Sequence, residues 1–211
     1  MRQETTKTNI KLVEFREDDR HWVVRWEIQL KLDENGNETG VFTYEEEAYN
    51  FIPTIADIQQ TITDWFNKQT DGLIKHGFRW KGINVLLNDE NKFNYKAITD
   101  EAARRETAIA IWDKENPDKA GKYVEEVQGV DKYGNPVVMQ ISTGRPASLL
   151  PVTLKLGETN LQENFYTFET LTELQEFFAN GVNHLLGAYG AGWKKIATFD
   201  WQPYINALEE L

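Results

Sequence analysis

The twelve residues from His21 to Leu32, HWVVRWEIQLKL, constrain the fold more than any other run in the chain. Trp22, Val24, Trp26, Ile28, Leu30 and Leu32 alternate with His21, Val23, Arg25, Glu27, Gln29 and Lys31. A side-chain period of two belongs to strands, so the run predicts one apolar face of a sheet. Runs of similar character flank it, IKLVEF before and VFTYEEEAYNF after. Before the last of these lies DENGNETG, where Asn35-Gly36 is expected to supply the positive φ angles of a tight hairpin turn.

At Thr54 the period becomes helical. Ile55, Ile58, Ile62, Trp65, Phe66, Leu73 and Ile74 share one stripe, Thr54 and Asp57 form the N-terminal cap, and Gly77 stops the helix near His76. A short strand around INVLL follows, then a helix from about Asn94 to Asn116, closed by Pro117. ENPDKAG, residues 115–121, is the linker candidate. Beyond it KYVEEVQGV and PVVMQIS predict a hairpin across DKYGNP, and LPVTLKL and NFYTF predict a strand pair across GETNLQE. Thr170 to Glu173 reads as a capping box; Leu171, Leu174, Phe177, Phe178, Val182, Leu185, Leu186 and Tyr189 form the buried stripe of the helix it opens. WQPYINALEEL predicts a last short helix.

The fold class that follows is α+β: a strand-rich N-terminal part, a long amphipathic helix, a central helix with an inserted hairpin, and a C-terminal strand pair with a capped helix. Residues 1–116 carry the N-terminal strands and two helices, 117–146 an inserted hairpin, and 147–211 the C-terminal strand pair and helices. That last segment is either separate or one compact unit with residues 50–110. Gly-x-x-Trp-Lys-x-Ile occurs twice, as GFRWKGI at 77–83 and GAGWKKI at 190–196, each after a Thr-x-x-acid helix start. The Thr-to-Trp spacing is 26 residues in one case and 23 in the other, which excludes an exact repeat; the two readings of the likeness are an old duplication and a coincidence of common helix-cap chemistry.

Several chemistries are excluded by residue type. A net charge of −11 repels phosphate backbones and anionic headgroups, so neither nucleic acid nor a membrane is an expected partner. Without cysteine there is no disulfide, thiolate nucleophile or iron–sulfur cluster. His21, His76 and His184 lack the short spacing of metal ligands, and DENGNETG puts its glycine too early for a calcium loop, so no metal is expected. Glu45-Glu46-Glu47 reads as a solvated strand end, and His21 beside Asp18 and Asp19 as structural. No phosphate-cradling glycine loop or Gly-x-Ser-x-Gly elbow occurs, so neither a cofactor nor a catalytic residue is expected.

The chain is rich in aromatic residues, with seven Trp, eight Tyr and eleven Phe, which imply an aromatic core. Exposed rings can also stack on sugars, and Trp112 and Tyr123 beside the linker are the candidates for a carbohydrate- or receptor-binding module. A glycosidase-type hydrolase is the third reading, because carboxylate pairs are set by geometry that the sequence does not give.

GFRWKGINVLLNDENKFNYKAITD, then LPVTLKLGE, then FYTFETLTELQEFFANGVNHLLGAYGAGWKKIATFDW, taken in order, resemble a family of uncharacterised proteins, a domain of unknown function, encoded by phages and prophages of gut bacteria. The matching positions are Trp80, Gly82, Glu90, Asn91, Phe93, Asn94, Tyr95 and Lys96, then Thr167, Phe168, Thr170, Glu173, Leu174, Phe177, Gly192 and Trp193. The resemblance covers roughly residues 50–110 and 147–205. It departs at the Lys194-Lys195-Ile196 tail, and residues 111–146 are unlike it. It implies a phage setting with tail association, contacts with other phage or host proteins or a homo-oligomer, and motif residues that are structural. The expectation is thus a non-enzymatic structural or accessory protein, in the cytoplasm of the producing cell or in an assembled particle, since MRQETTKTNIKLVEF lacks the apolar core of a signal peptide.

Overall fold

The alternating run is one strand of an antiparallel sheet. Its members are β1 (Arg2–Thr5), β2 (Val13–Arg16), β3 (His21–Leu32) and β4 (Glu38–Tyr49), in the order β1-β4-β3-β2. This computed structural model describes residues 2–211 and has the expected α+β class. The described chain forms two compact units: the residues up to Asp71 with Tyr189–Leu211, and Gly72–Ala188.

In the first unit Val24 and Trp26 meet Ile58, Ile62 and Phe66 of helix α1 (Ile55–His76), and Tyr204 of helix α4 (Gln202–Glu209) completes that core. The alternation of β3 holds only as far as Trp26. Glu27 has φ 52°, and pairing passes from Trp26↔Glu45 to Gln29↔Thr43, so two residues of β3 oppose one of β4. Beyond this bulge Gln29 shares the side of Trp26, Leu30 changes faces, and Leu32 is left 56% exposed. The other face is not solvated throughout either. Arg25 is buried there, donating from Nε to Glu46 Oε2 (2.8 Å) and from Nη1 to Glu14 Oε2 (2.8 Å) and the Lys11 carbonyl (3.1 Å). Burial works against its charge, but Glu14 and Glu46 more than offset that and raise its pKa. Glu46 is therefore no solvated strand end; strand alternation aims this one member of the acidic run at Arg25 and Arg16.

The turn after β3 also differs from expectation. Only Gly36 is left-handed (φ 82°); its N–H donates to the Asp33 carbonyl, while the Asp33 carboxylate accepts from the backbone N–H groups of Asn35 and Asn37 (2.8 Å each). This is a type I turn followed by a glycine bulge. Thr54 and Asp57 cap α1 reciprocally: the Thr54 N–H donates to Asp57 Oδ2 (2.8 Å) and the Asp57 N–H to Thr54 Oγ1 (3.3 Å). Within the same unit Gly192 of helix α3 (Leu171–Ala197) abuts Thr70 of α1, where an added Cβ would fall 2.2 Å from Thr70 Oγ1.

The second unit starts from a stop and a two-residue turn. Gly77 has φ 68°, and a Cβ there would lie 1.7 Å from the Val85 carbonyl oxygen, so this helix end admits only glycine. The expected strand around INVLL shrinks to a small hairpin, β5 (Arg79–Trp80) and β6 (Ile83–Asn84), turned by Lys81 (φ 45°) and Gly82 (φ 91°). Helix α2 spans Asp89–Glu115, five residues earlier at its start than the sequence suggested. Asn88 caps it, its Oδ1 accepting from the Asn91 N–H at 2.8 Å, and Asp89 and Glu90 occupy the positive end of the helix dipole. The unit's core gathers Trp80, Val85, Leu87 and Tyr95 with Leu154 and Leu156 around the strand pair β9 (Val152–Lys155) and β10 (Phe165–Phe168), and with Leu174 and Phe177 of α3. Phe177 has ring contacts with Phe78, Trp80, Tyr95 and Phe168.

Two features of the predicted helices differ in the structure. Leu73, Val182 and Leu186 do not belong to buried stripes; they are 54%, 40% and 59% exposed. The capping box at Thr170 is half formed: the Glu173 N–H donates to Thr170 Oγ1 (3.2 Å), but the Glu173 carboxylate accepts from the Tyr166 hydroxyl. The indole N–H groups of Trp26 and Trp80 are buried without an acceptor among the described residues, a cost that the packing around these rings has to offset.

Candidate interaction surfaces

After α2 the chain forms β7 (Val124–Val130) and β8 (Pro136–Ser142), an antiparallel ribbon that joins no other strand among the described residues. Its turn, Asp131 to Asn135, repeats the chemistry of Asp33 to Asn37. The Asp131 carboxylate accepts from the backbone N–H groups of Tyr133 (2.8 Å) and Asn135 (2.9 Å), and Gly134 is left-handed (φ 85°). The Asn135 side-chain amide, with the backbone N–H groups of Asn135 and Tyr133, holds the Asp131 carboxyl below its usual pKa range, and the backbone N–H and side-chain amide of Asn37 do the same to Asp33. The recurring Asp-x-x-Gly-Asn pattern was available in the sequence as a signal and marks both hairpins.

The ribbon is fixed at its root. Arg145 donates to both carboxylate oxygens of Asp113 on α2 (2.8 and 2.7 Å), and Asp113 also accepts from the Gly121 N–H (3.2 Å). The Arg145 hydrogen bond is the main reason the Asp113 pKa is lowered. Lys119 pairs with Glu125 at 3.0 Å, and Thr143 Oγ1 donates to the Lys122 carbonyl. Beyond the root the ribbon is wet and apolar together: Val130, Val138, Met139 and Ile141 are exposed, at 68%, 55%, 44% and 42%. By strand parity one face carries Glu125, Val127, Gly129, Val137, Met139 and Ile141, and the other carries Val130 and Val138. Two-stranded ribbons are marginal alone in water, and such a face normally has a cover.

The sugar-stacking candidates fall at this root. Trp112 is half-buried, and its carbonyl accepts from Asn116, closing α2. Tyr123 is 45% exposed, but the Arg145 guanidinium lies 4.7 Å over its ring, so one stacking face is occupied.

The motif residues scatter by role. Trp80 and Tyr95 enter the second unit's core, and the Tyr95 hydroxyl donates to the Lys155 carbonyl (3.1 Å). Gly82 turns the small hairpin and Asn91 Nδ2 donates to the Leu86 carbonyl (3.0 Å), while Glu90 is exposed and Phe93 is 72% exposed. Thr170 and Glu173 form the start of α3. Gly192 lets α3 approach Thr70, and Trp193 is 65% exposed, stacked on Tyr189 with ring centroids 5.6 Å apart. The two Gly-x-x-Trp-Lys-x-Ile stretches thus adopt different structures, a hairpin in one case and helix in the other.

A second surface in the Gly72–Ala188 unit is an apolar cleft of about 150 Å³ floored by Phe78, Tyr95 and Phe177, walled by Val182 and Leu185, and edged by Lys92 and Lys96. Lys92 pairs with Asp89 at 2.8 Å, and Lys96 pairs with Asp100. Neither the place of Phe78 nor the exposure of Val182 is encoded in helical periodicity, which does not show which turn lacks a neighbour.

Among the described residues no group of His, Asp and Glu is arranged to hold a metal ion, and no helix is long and apolar enough to cross a membrane. No family model, curated protein or solved structure matches the chain.

Proposed function

We propose that the chain is a non-enzymatic structural or accessory protein of phage type, tail-associated, that works through protein contacts. The observation that carries this reading is the β7–β8 ribbon: it is anchored by a bidentate ion pair yet presents valines, a methionine and an isoleucine to solvent. A rigid root with an uncovered apolar ribbon suits a contact element, since its exposed area is stabilised only when another surface covers it. The phage setting rests on the resemblance in the flanking blocks, and the partners are other phage or host proteins or a second copy. The test is co-expression with the products of neighbouring genes, comparing the whole chain with a variant in which residues 123–143 are replaced by a short Gly-Ser linker. The linker variant should keep its melting profile and lose co-migration with the partner. Co-migration that survives ribbon removal, or neighbours that encode only a metabolic route, would overturn the reading.

A carbohydrate- or receptor-binding module is the second reading, favoured by the exposed Trp193 on Tyr189 rather than by Trp112 or Tyr123. Trp193→Ala should then abolish retention on a glycan array without lowering the melting temperature; a wild-type chain that binds no glycan removes this alternative.

A further inference from the structure

Beside its exposed apolar side chains the ribbon has an open edge along β8, and the hydrogen-bond parity of that strand fixes which backbone groups it offers. The Asp131 N–H donates to the Asn135 carbonyl (2.9 Å) and the Thr143 N–H to the Tyr123 carbonyl (3.0 Å). With the register Gln128↔Val138 and Val127↔Met139, hydrogen-bonded pairs fall at residues 137, 139 and 141 of β8. The backbone N–H and C=O groups of Val138, Gln140 and Ser142 therefore point out of the ribbon, along an edge that no strand among the described residues occupies.

The two edges are not equivalent. β7, VEEVQGV, carries Glu125 and Glu126, charges of the kind that keep edge strands from pairing. β8, PVVMQIS, carries none, and its only protective residue is Pro136 at the first position, which removes one outward N–H. The remainder is a short, uncharged, β-prone segment of the type that pairs with its own kind.

We infer that β8 is a self-pairing edge whose occupant is β8 of a second copy of this chain, an inference that rests on the protein-contact reading above. Antiparallel pairing about a two-fold axis at Met139 overlaps all seven residues of the strand, setting Pro136 against Ser142, Val137 against Ile141 and Val138 against Gln140 of the second copy. Val138 and Gln140 then exchange hydrogen bonds through their outward groups, and the two Met139 residues form a non-hydrogen-bonded pair with close side chains. The seam brings no like charges together, whereas a β7 seam of the same full overlap would set Glu126 against Gln128 and leave the two Glu126 carboxylates as diagonal neighbours on one face; the glutamates of β7 lie on the outer strands of the resulting four-stranded sheet. This charge pattern selects a second copy over an acidic or basic peptide, because β8 offers no charge to recognise either.

The chain has no cysteine, so Met139→Cys reports this seam alone. Non-hydrogen-bonded strand pairs have Cα separations of about 4.5 Å, within the range a disulfide spans. Under mild oxidation the full-length M139C chain should form a disulfide dimer roughly tenfold faster than Tyr133→Cys, placed in the exposed turn, because pairing raises the local thiol concentration. Sedimentation equilibrium of the cysteine-free protein should show a reversible dimer, and Val138→Lys, on a side chain 55% exposed, should return it to monomer with unchanged circular dichroism and melting. Equal cross-linking rates, or a dimer that survives V138K, would overturn the inference. A chain that remains monomeric while loss of the ribbon still abolishes co-migration with its co-expressed partner overturns self-pairing and leaves the contact reading standing.

Discussion

Lys81 occupies a place that its side chain disfavours. With Gly82 it forms the two-residue turn between Trp80 and Ile83, both φ angles are positive, and Lys81 has a Cβ to accommodate there at φ 45°. Asparagine adopts that region more readily, so Lys81→Asn should raise stability by roughly 1 kcal/mol, read as a higher midpoint in urea, unless the Lys81 ammonium 5.6 Å from the Trp80 ring contributes as much. An unchanged midpoint would assign the residue to that cation–π contact. Tyr95 makes a pH-dependent contribution. Burial pushes its hydroxyl up to about 12, against a usual value near 10.0. The folded pKa is the raised one, so above pH 10 the unfolded chain gives up its proton first; the contribution is complete below that and is lost as pH rises toward 12. The loss amounts to roughly 2–3 kcal/mol. Tyr95→Phe should cost about 1 kcal/mol at neutral pH through the hydrogen bond to Lys155 and should flatten the alkaline limb of the stability curve. An alkaline limb of unchanged slope would place the titration elsewhere.

At the scale of elements, legibility followed the strength of local chemistry. α1 was readable end to end because Thr54, Asp57 and Gly77 mark its ends and Ile58, Ile62 and Phe66 its face. The start of α2 is not legible because Asn88, Asp89, Glu90 and Asn91 are residues that favour turns as well as first helical turns, and only the bond from the Asn91 N–H to Asn88 Oδ1 tells the two apart. β3 was readable as a strand, but the bulge at Glu27 reversed the faces beyond it, and no residue type in WEIQL requires a bulge. The ribbon's strands and turn were legible, whereas the openness of β8 was not, since sheet neighbours are a tertiary fact. Gly192 belongs to the same class. In the sequence it is one glycine of GAYGAGW; in the structure it sets how closely α3 passes Thr70. Gly192→Ala should destabilise the first unit by roughly 1–3 kcal/mol through overpacking. In a Thr70→Ala background the same substitution should cost clearly less, and a double-mutant cycle with no coupling would show that the contact is not what the glycine serves.

On the scale of the whole molecule, two properties arise from the entire chain. One is closure across sequence: the Tyr204 hydroxyl donates to the Arg25 carbonyl at 2.9 Å, and Phe199 and Trp201 pack beside it, so the C-terminal segment completes a core begun by the first strands. Local periodicity carries no trace of such a contact, which is why WQPYINALEEL was legible as a helix and not as a core element. The other is charge. Each copy carries −11, so two copies repel at long range although the β8 seam is itself uncharged. Repulsion between exposed charges is screened over about 10 Å at 0.1 M salt and over about 3 Å at 1 M. Self-association through β8 should therefore tighten as sodium chloride rises through that range, with the dissociation constant from sedimentation equilibrium falling, because salt removes the opposing term and leaves the apolar and backbone hydrogen-bonded seam intact. A seam held by ion pairs would respond with the opposite sign, so weakening of the dimer by salt would count against an uncharged β8 edge as the contact.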